Sequence, residues 1–197
     1  PLIIKNNKGL KQLHAPNGEK IIIHISNFRK VKRIEDLVLV FDRIRKEIPS
    51  KLILIGDGPE RHNIETLCSK LNVCDDVKLL GKLKAIEKIL SIADLFLLPS
   101  ETESFGLAAL EAMASHVPVI STNTGGLPEV NIHGVTGFLS NVGDIDEMAK
   151  NAIYVLEDEN RLNEFKANAH KQAKKFDIKK ILPLYEALYD ELLELQN

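Results

Sequence analysis

The sequence predicts a doubly wound α/β fold, a parallel sheet covered on both faces by helices. Three observations carry that prediction. Short apolar runs recur between segments of helical periodicity from about residue 20 to residue 156. Strand then helix, repeated this often, requires crossover connections and so a parallel sheet with both faces buried. From Asn160 onward the strand-like runs stop and only helical patterning continues.

Residues 1–19, with KNNKG and APNG, read as a linker leading into the first strand. IIIHIS (21–26) is that strand, followed by Ile34, Leu37, Val38, Phe41 and Ile44 at helical spacing and by a second strand, KLILIG (51–56). Ile64, Leu67 and Leu71 mark the next helix, VKLLG (77–81) a third strand, and Ile86, Ile89, Leu90 and Ala93 another helix. LFLLP (95–99) is a fourth strand, Leu107 to Ala114 a helix, and VPVIS (117–121) a fifth strand. After Gly125-Gly126, Pro128 suits the first turn of a short helix, and GFLS (137–140) reads as a sixth strand. Asp144 with Glu147 three residues on is a capping-box-like start for the helix of Met148, Ala152, Ile153 and Leu156. Leu162, Phe165 and Ala169, then Ile181 to Leu192, complete the helical tail.

Composition limits the function classes. With 44% hydrophobic and 27% charged residues, the chain matches an ordinary globular protein, and a net charge of −2 argues against a protein built mainly to bind nucleic acid. Cys68 and Cys74 lie in no CxxC pair and beside no metal-spaced histidines, so both read as reduced thiols. No leader peptide and no apolar run of membrane-spanning length is visible, which makes the cytoplasm the expected location.

Ligands of doubly wound sheets collect at the carboxyl ends of the strands, so the loops there carry the functional expectation. SNFRKVKR (26–33) places Arg29, Lys30, Lys32 and Arg33 at a helix start, where cations oppose the helix dipole. An anionic ligand resolves that conflict. GDGPER (56–61) lacks the full GxGxxG pattern and follows the second strand, so it reads as a tight turn with Pro59 opening the helix.

ESFGLAALEA (103–112) carries Glu103 and Glu111 at either end of an apolar stretch. Ser104 is the expected N-cap. The backbone amides around Phe105, Gly106 and Leu107 then face outward and suit a phosphate. Glu111, further along the helix, offers paired acceptors that suit vicinal ribose hydroxyls, while Glu103 faces whatever lies beyond the phosphate. One ligand fits all three features, a nucleotide joined to a sugar. Taken singly each glutamate reads as surface decoration; the basic loop at another strand's end shifts the balance to a site.

ESFGLAALE resembles the E-x7-E signature of the large retaining glycosyltransferase family GT4, and EAMASHVPVISTNTGGLPEV resembles that family's next stretch. IGDGPE, IADLFLLPS and GVTGFL stand where the family has similar pieces. The resemblance implies a GT-B enzyme with its active site between two Rossmann-like domains. This chain resembles the C-terminal, donor-binding one, over 20–177, and 178–197 resembles the helix that crosses back to an N-terminal acceptor domain. It implies transfer with retention of anomeric configuration, no cofactor, no metal, and a small acceptor held mainly by the other domain, so that this chain alone is not expected to transfer sugar. SNFRKVKR and SETESFGLAALEAMA are most similar to a bacterial bacillithiol-pathway branch that uses UDP-N-acetylglucosamine and L-malate.

The resemblance also implies residue roles. Glu111 would bind the ribose, Glu103 the donor sugar, Ser104, Phe105, Gly106 and Leu107 the phosphate and sugar, and Lys32 the diphosphate. Where the family has an arginine five residues before that lysine, this chain has Asn27, so Arg29 is the expected substitute. Gly81, Lys82 and Leu83 fall where backbone groups hold the base. His116 replaces a glycine that ends the glutamate helix. A dehydrogenase would need a glycine-rich turn after the first strand, where this chain has SNFRKVKR. A GT-B-type UDP-sugar epimerase, or a nucleotide-binding module without turnover, are the alternative readings.

Overall fold

A computed structural model describes residues 8–194. Six parallel strands form one sheet in the order β3-β2-β1-β4-β5-β6, comprising β1 (Lys20–Ser26), β2 (Ser50–Gly56), β3 (Val77–Gly81), β4 (Leu95–Leu98), β5 (Val119–Thr122) and β6 (Gly137–Ser140). The chain winds outward from β1 in one direction, then returns and winds from β4 in the other. Neighbouring β1 and β4 therefore diverge at a topological switch point, where the loops leaving them open a crevice.

Helices cover both faces. α1 (Lys8–His14) precedes the sheet, α2 (Ile34–Glu47) and α3 (Arg61–Lys70) follow β1 and β2, and the single turn α4 (Glu87–Leu90) follows β3. α5 (Leu107–Ala114), α6 (Leu127–Val130) and α7 (Ile145–Leu156) follow β4, β5 and β6, and α8 (Glu159–Ala173) and α9 (Ile178–Glu194) complete the order. Because successive strand residues point to opposite faces, β1 sends Ile22 into the layer of Leu37, Phe41 and Met148 and Ile21 and Ile23 into that of Ala109, Met113 and Ala169.

Several details depart from the sequence expectation. Within the segment read as a linker, residues 8–14 form a helix whose Lys11 ion-pairs with buried Asp94 at 2.9 Å; residues 1–7 lie outside the described part. β5 starts at Val119, since Pro118 has no N–H to give to the ladder. The helix expected over Ile86 to Ala93 is one short turn. The N-cap of α5 is Gly106, at φ 90°, and Ser104 makes no capping bond. The capping of α7 is as read, with Asp144 accepting from the Glu147 amide at 3.0 Å. The terminal helix forms from Ile178 to Glu194, and the last residues expected in it, from 195 on, lie outside the described part.

Candidate donor-binding site

The crevice between β1 and β4 is built from the two loops singled out by charge. After β1 the chain makes a 3-10 turn over Lys30–Lys32 before α2 starts, so the cations stand in front of the helix rather than in its first turn, which holds Glu35 and Asp36. Arg29 and Lys30 are exposed, and Arg33 is held by Asp36 at 2.6 Å. Lys32 instead turns inward to Glu103 of the loop after β4, with Nζ 2.7 Å from Oε2 and both side chains less than one-fifth exposed. The backbones also meet, the Glu101 amide donating to the Val31 carbonyl at 2.8 Å.

Two glycines make this packing sterically feasible. A Cβ on Gly125 would lie 1.7 Å from the Glu103 carbonyl oxygen, and its φ of 54° is left-handed. The turn after β5 therefore presses directly on the glutamate loop, and the Gly126 amide donates to that same carbonyl at 3.2 Å. Gly56 plays the matching part under the basic loop, where a Cβ would lie 1.7 Å from the Ser26 carbonyl oxygen. GDGPE thus works as the close-packing turn read from its sequence, but Pro59 stays within the turn and does not open the helix, which begins at Arg61 after Glu60 as N-cap. The Glu60 amide extends that contact to the Phe28 carbonyl at 3.0 Å.

Below the loops, buried His24 donates from Nδ1 to the Leu97 carbonyl at 2.8 Å, which leaves Nε2 to accept from the Ser26 hydroxyl at 2.8 Å. Burial outweighs the carbonyl bond and pushes the imidazole down to about 4, so it stays neutral. This residue braces β1 against β4 at the floor of the crevice. Sequence reading passed over it, although a histidine inside an apolar strand signals a buried polar group that needs partners.

On the far wall, the amides of Phe105 to Ala109 make no backbone hydrogen bond among the described residues, as the start of an α-helix requires. Gly106 is buried and Leu107 exposed. Glu111 stands four residues after Leu107, about 6 Å along the axis. Its exposed carboxylate accepts no hydrogen bond among the described residues, and partial burial followed by neighbouring Glu87 raises its pKa. Asn27 and Arg29 are exposed at the mouth of the basic loop. Gly81, Lys82 and Leu83 lie beyond β2, at the end of edge strand β3, with Gly81 at φ 68°.

His116 takes the left-handed conformation at φ 63° that favours glycine, and its ring stacks on His170 with centroids 3.7 Å apart. It closes the far end of α5, away from the crevice. A second concavity, between α7, α8 and the approach to β6, shares no residue with the crevice. Its Arg161 is already occupied, lying over the Tyr154 ring and paired with Glu157 at 3.0 Å. Among the described residues no group of three or more metal-ligating side chains converges.

A Rossmann-like sheet with an anion-compatible crevice at its switch point matches the C-terminal domain of GT-B glycosyltransferases. Residues 6–172 match the family described as Glycosyl transferases group 1, and the chain belongs to that family. It is 46% identical over 184 residues to N-acetyl-alpha-D-glucosaminyl L-malate synthase of Bacillus anthracis, covering 93% of this chain and 48% of that protein. Sucrose-phosphate synthase of Thermosynechococcus elongatus superposes with a TM-score of 0.83 at 30% identity, over 93% of this chain and 48% of that one. Anabaena HepE in complex with UDP-glucose does so with a TM-score of 0.83 at 26% identity, over 92% and 52%. The chain spans about half the length of these relatives.

Proposed function

We propose that this chain is the donor-binding half of a retaining glycosyltransferase that takes sugar from a UDP-sugar, UDP-N-acetylglucosamine by similarity, and passes it to a small acceptor such as L-malate. The observation that carries the reading is the meeting, at one switch-point crevice, of an inward lysine, the Glu103 carboxylate and a helix start with free amides; Glu111 lies about 6 Å further along that helix. The diphosphate lies between Lys32, Arg29 and the amides of Phe105, Gly106 and Leu107. Glu111 accepts from the ribose hydroxyls, Glu103 from the sugar, and backbone groups of Gly81, Lys82 and Leu83 hold the base. In the reaction the bond from the anomeric carbon to the diphosphate breaks, and the acceptor oxygen bonds on the same face. The acceptor's proton passes to the leaving diphosphate. Lys32 and the preorganised amides stabilise the charge that develops there, the kind of contribution that usually dominates catalysis.

In this reading the acceptor is held mainly by a second lobe, to which α9 presents the exposed Ile178, Leu182, Tyr185 and Tyr189. The site of action is the cytoplasm and the pathway that of bacillithiol. Among the described residues no helix is long and apolar enough to cross a membrane. Calorimetric titration of this chain with UDP, without added metal, tests the reading. Binding is expected, and Glu111→Ala weakens it by about 1–3 kcal/mol, the worth of charge-assisted hydrogen bonds. Equal affinity in both proteins would remove Glu111 from the ribose, and no binding by the unaltered chain would end the proposal.

A further inference from the structure

Glu103 occupies the cation that the diphosphate needs. Lys32 Nζ sits 2.7 Å from its carboxylate, with side chains 19% and 17% exposed; the loops that carry them are tied by the Glu101 to Val31 backbone bond, and the Gly126 to Glu103 bond holds the glutamate loop against the turn after β5. Of the other cations in the basic loop, Arg33 is committed to Asp36 and Arg29 and Lys30 point to solvent. A diphosphate at the start of α5 therefore reaches an inward cation only by taking Lys32 from Glu103 or sharing it.

We propose that Glu103, through this exchange, is a specificity residue that separates the nucleotide-sugar substrate from the free nucleotide product; the inference rests on the donor-site reading above. When UDP binds, the carboxylate loses Lys32, gains no donor in return, and is left facing phosphate charge in a partly desolvated position, where like charges repel. When UDP-sugar binds, sugar hydroxyls supply the lost donors. The substrate's diphosphate is also a diester, without the second ionisation near pH 6 that gives a terminal phosphate about one further negative charge. Both differences act in the same direction. The carboxylate disfavours product more than substrate, so it promotes release of UDP after transfer and limits its competition with incoming donor.

The test compares UDP with UDP-N-acetylglucosamine on the unaltered chain, Glu103→Gln and Glu111→Ala by calorimetry, with circular dichroism to confirm folding. Glutamine keeps the shape and the acceptor oxygen but removes the charge. UDP affinity is expected to rise about two- to fivefold in Glu103→Gln, the upper part of the range of a partly exposed ion pair. Affinity for the nucleotide-sugar stays level or falls, so the preference for substrate over product shrinks. A purely structural role for the ion pair would weaken both ligands together. Unchanged or weaker UDP binding in Glu103→Gln overturns the inference. If the unaltered chain binds both ligands and Glu111→Ala weakens both, that failure leaves the donor-site reading intact; if the unaltered chain binds neither ligand, both fall.

Discussion

Two lysine-paired carboxylates sit at opposite ends of the same sheet, and they are satisfied to different degrees. At the amino end, Asp94 is almost wholly buried and ion-pairs with Lys11 of α1 and Lys166 of α8, each at 2.9 Å, while accepting from the Ile21 amide at 3.0 Å. Its acceptors are filled by three elements at once. At the carboxyl end, Glu103 is held by Lys32 alone among the described side chains. The saturated carboxylate is a clamp with nothing left to offer a ligand, whereas the other retains spare acceptors and a partner that a stronger anion can take. Charge and burial alone do not distinguish clamp from site; unfilled hydrogen-bonding capacity does.

The comparison breaks most easily at the clamp. Burial opposes ionisation of Asp94, yet Lys166 and Lys11 hold its carboxyl below the ordinary carboxylate range. Asp94→Ala strands the Ile21 amide and leaves two lysines without their anion, although both are exposed enough to find water. A loss of about 3 kcal/mol in urea unfolding is expected. A loss under about 1 kcal/mol would mean that α1 and α8 are held by packing and that the two carboxylates differ less than their partners suggest.

A smaller effect sharpens the comparison at the crevice floor. His24 is neutral in the folded chain down to about pH 4, whereas in the unfolded chain it takes a proton below its ordinary 6.5. The folded-state value is the depressed one, so the unfolded state binds more protons between these limits and stability falls as pH falls through that window. Linkage gives about 2 kcal/mol at pH 5 relative to pH 7.5. His24→Gln removes the titration, so the difference in pH dependence between the two proteins isolates this term from Asp94, which also favours neutral pH. Parallel stability profiles would show that the floor is hydrated and that His24 titrates freely.

Most of the sheet was legible because its central strands, buried on both faces, must be continuously apolar, and the half-buried edge segments VKLLG and GFLS also matched the observed limits of β3 and β6. Glu103, Glu111 and Lys32 were also visible, as charges at strand ends. Helix starts were harder. Ser104 has the right chemistry for an N-cap, yet the tight turn pressed upon by Gly125 puts Gly106 in that position. α1 was hidden by its polar sequence, because its contacts are long-range, with Leu10 on the core and an ion pair to Asp94, 83 residues away. Pairings such as Lys32 with Glu103 depend on strand order, and local patterning carries no record of which loops become neighbours.

The smallest expected effect falls at Glu103, and it is the one that distinguishes a site from a clamp. Lys32 and Glu103 are linked by a short contact but keep part of their side chains in water, so removing the charge costs folding little. Partly exposed pairs are worth about 0–1 kcal/mol, since solvent screens the attraction and accepts either group when it is freed. Glu103→Gln can also keep one hydrogen bond from Lys32 through its amide oxygen. A loss of no more than about 1 kcal/mol in urea unfolding is therefore expected, beside the larger loss for Asp94→Ala under the same conditions. If Glu103→Gln destabilises as much as Asp94→Ala, the pair at the crevice is itself a clamp, and a ligand could take Lys32 only at a cost comparable to loosening the fold. If it is nearly silent, the lysine is held in place at little energetic cost and stays available to a phosphate. That is the condition under which a cation can be positioned before its ligand arrives and surrendered when it does.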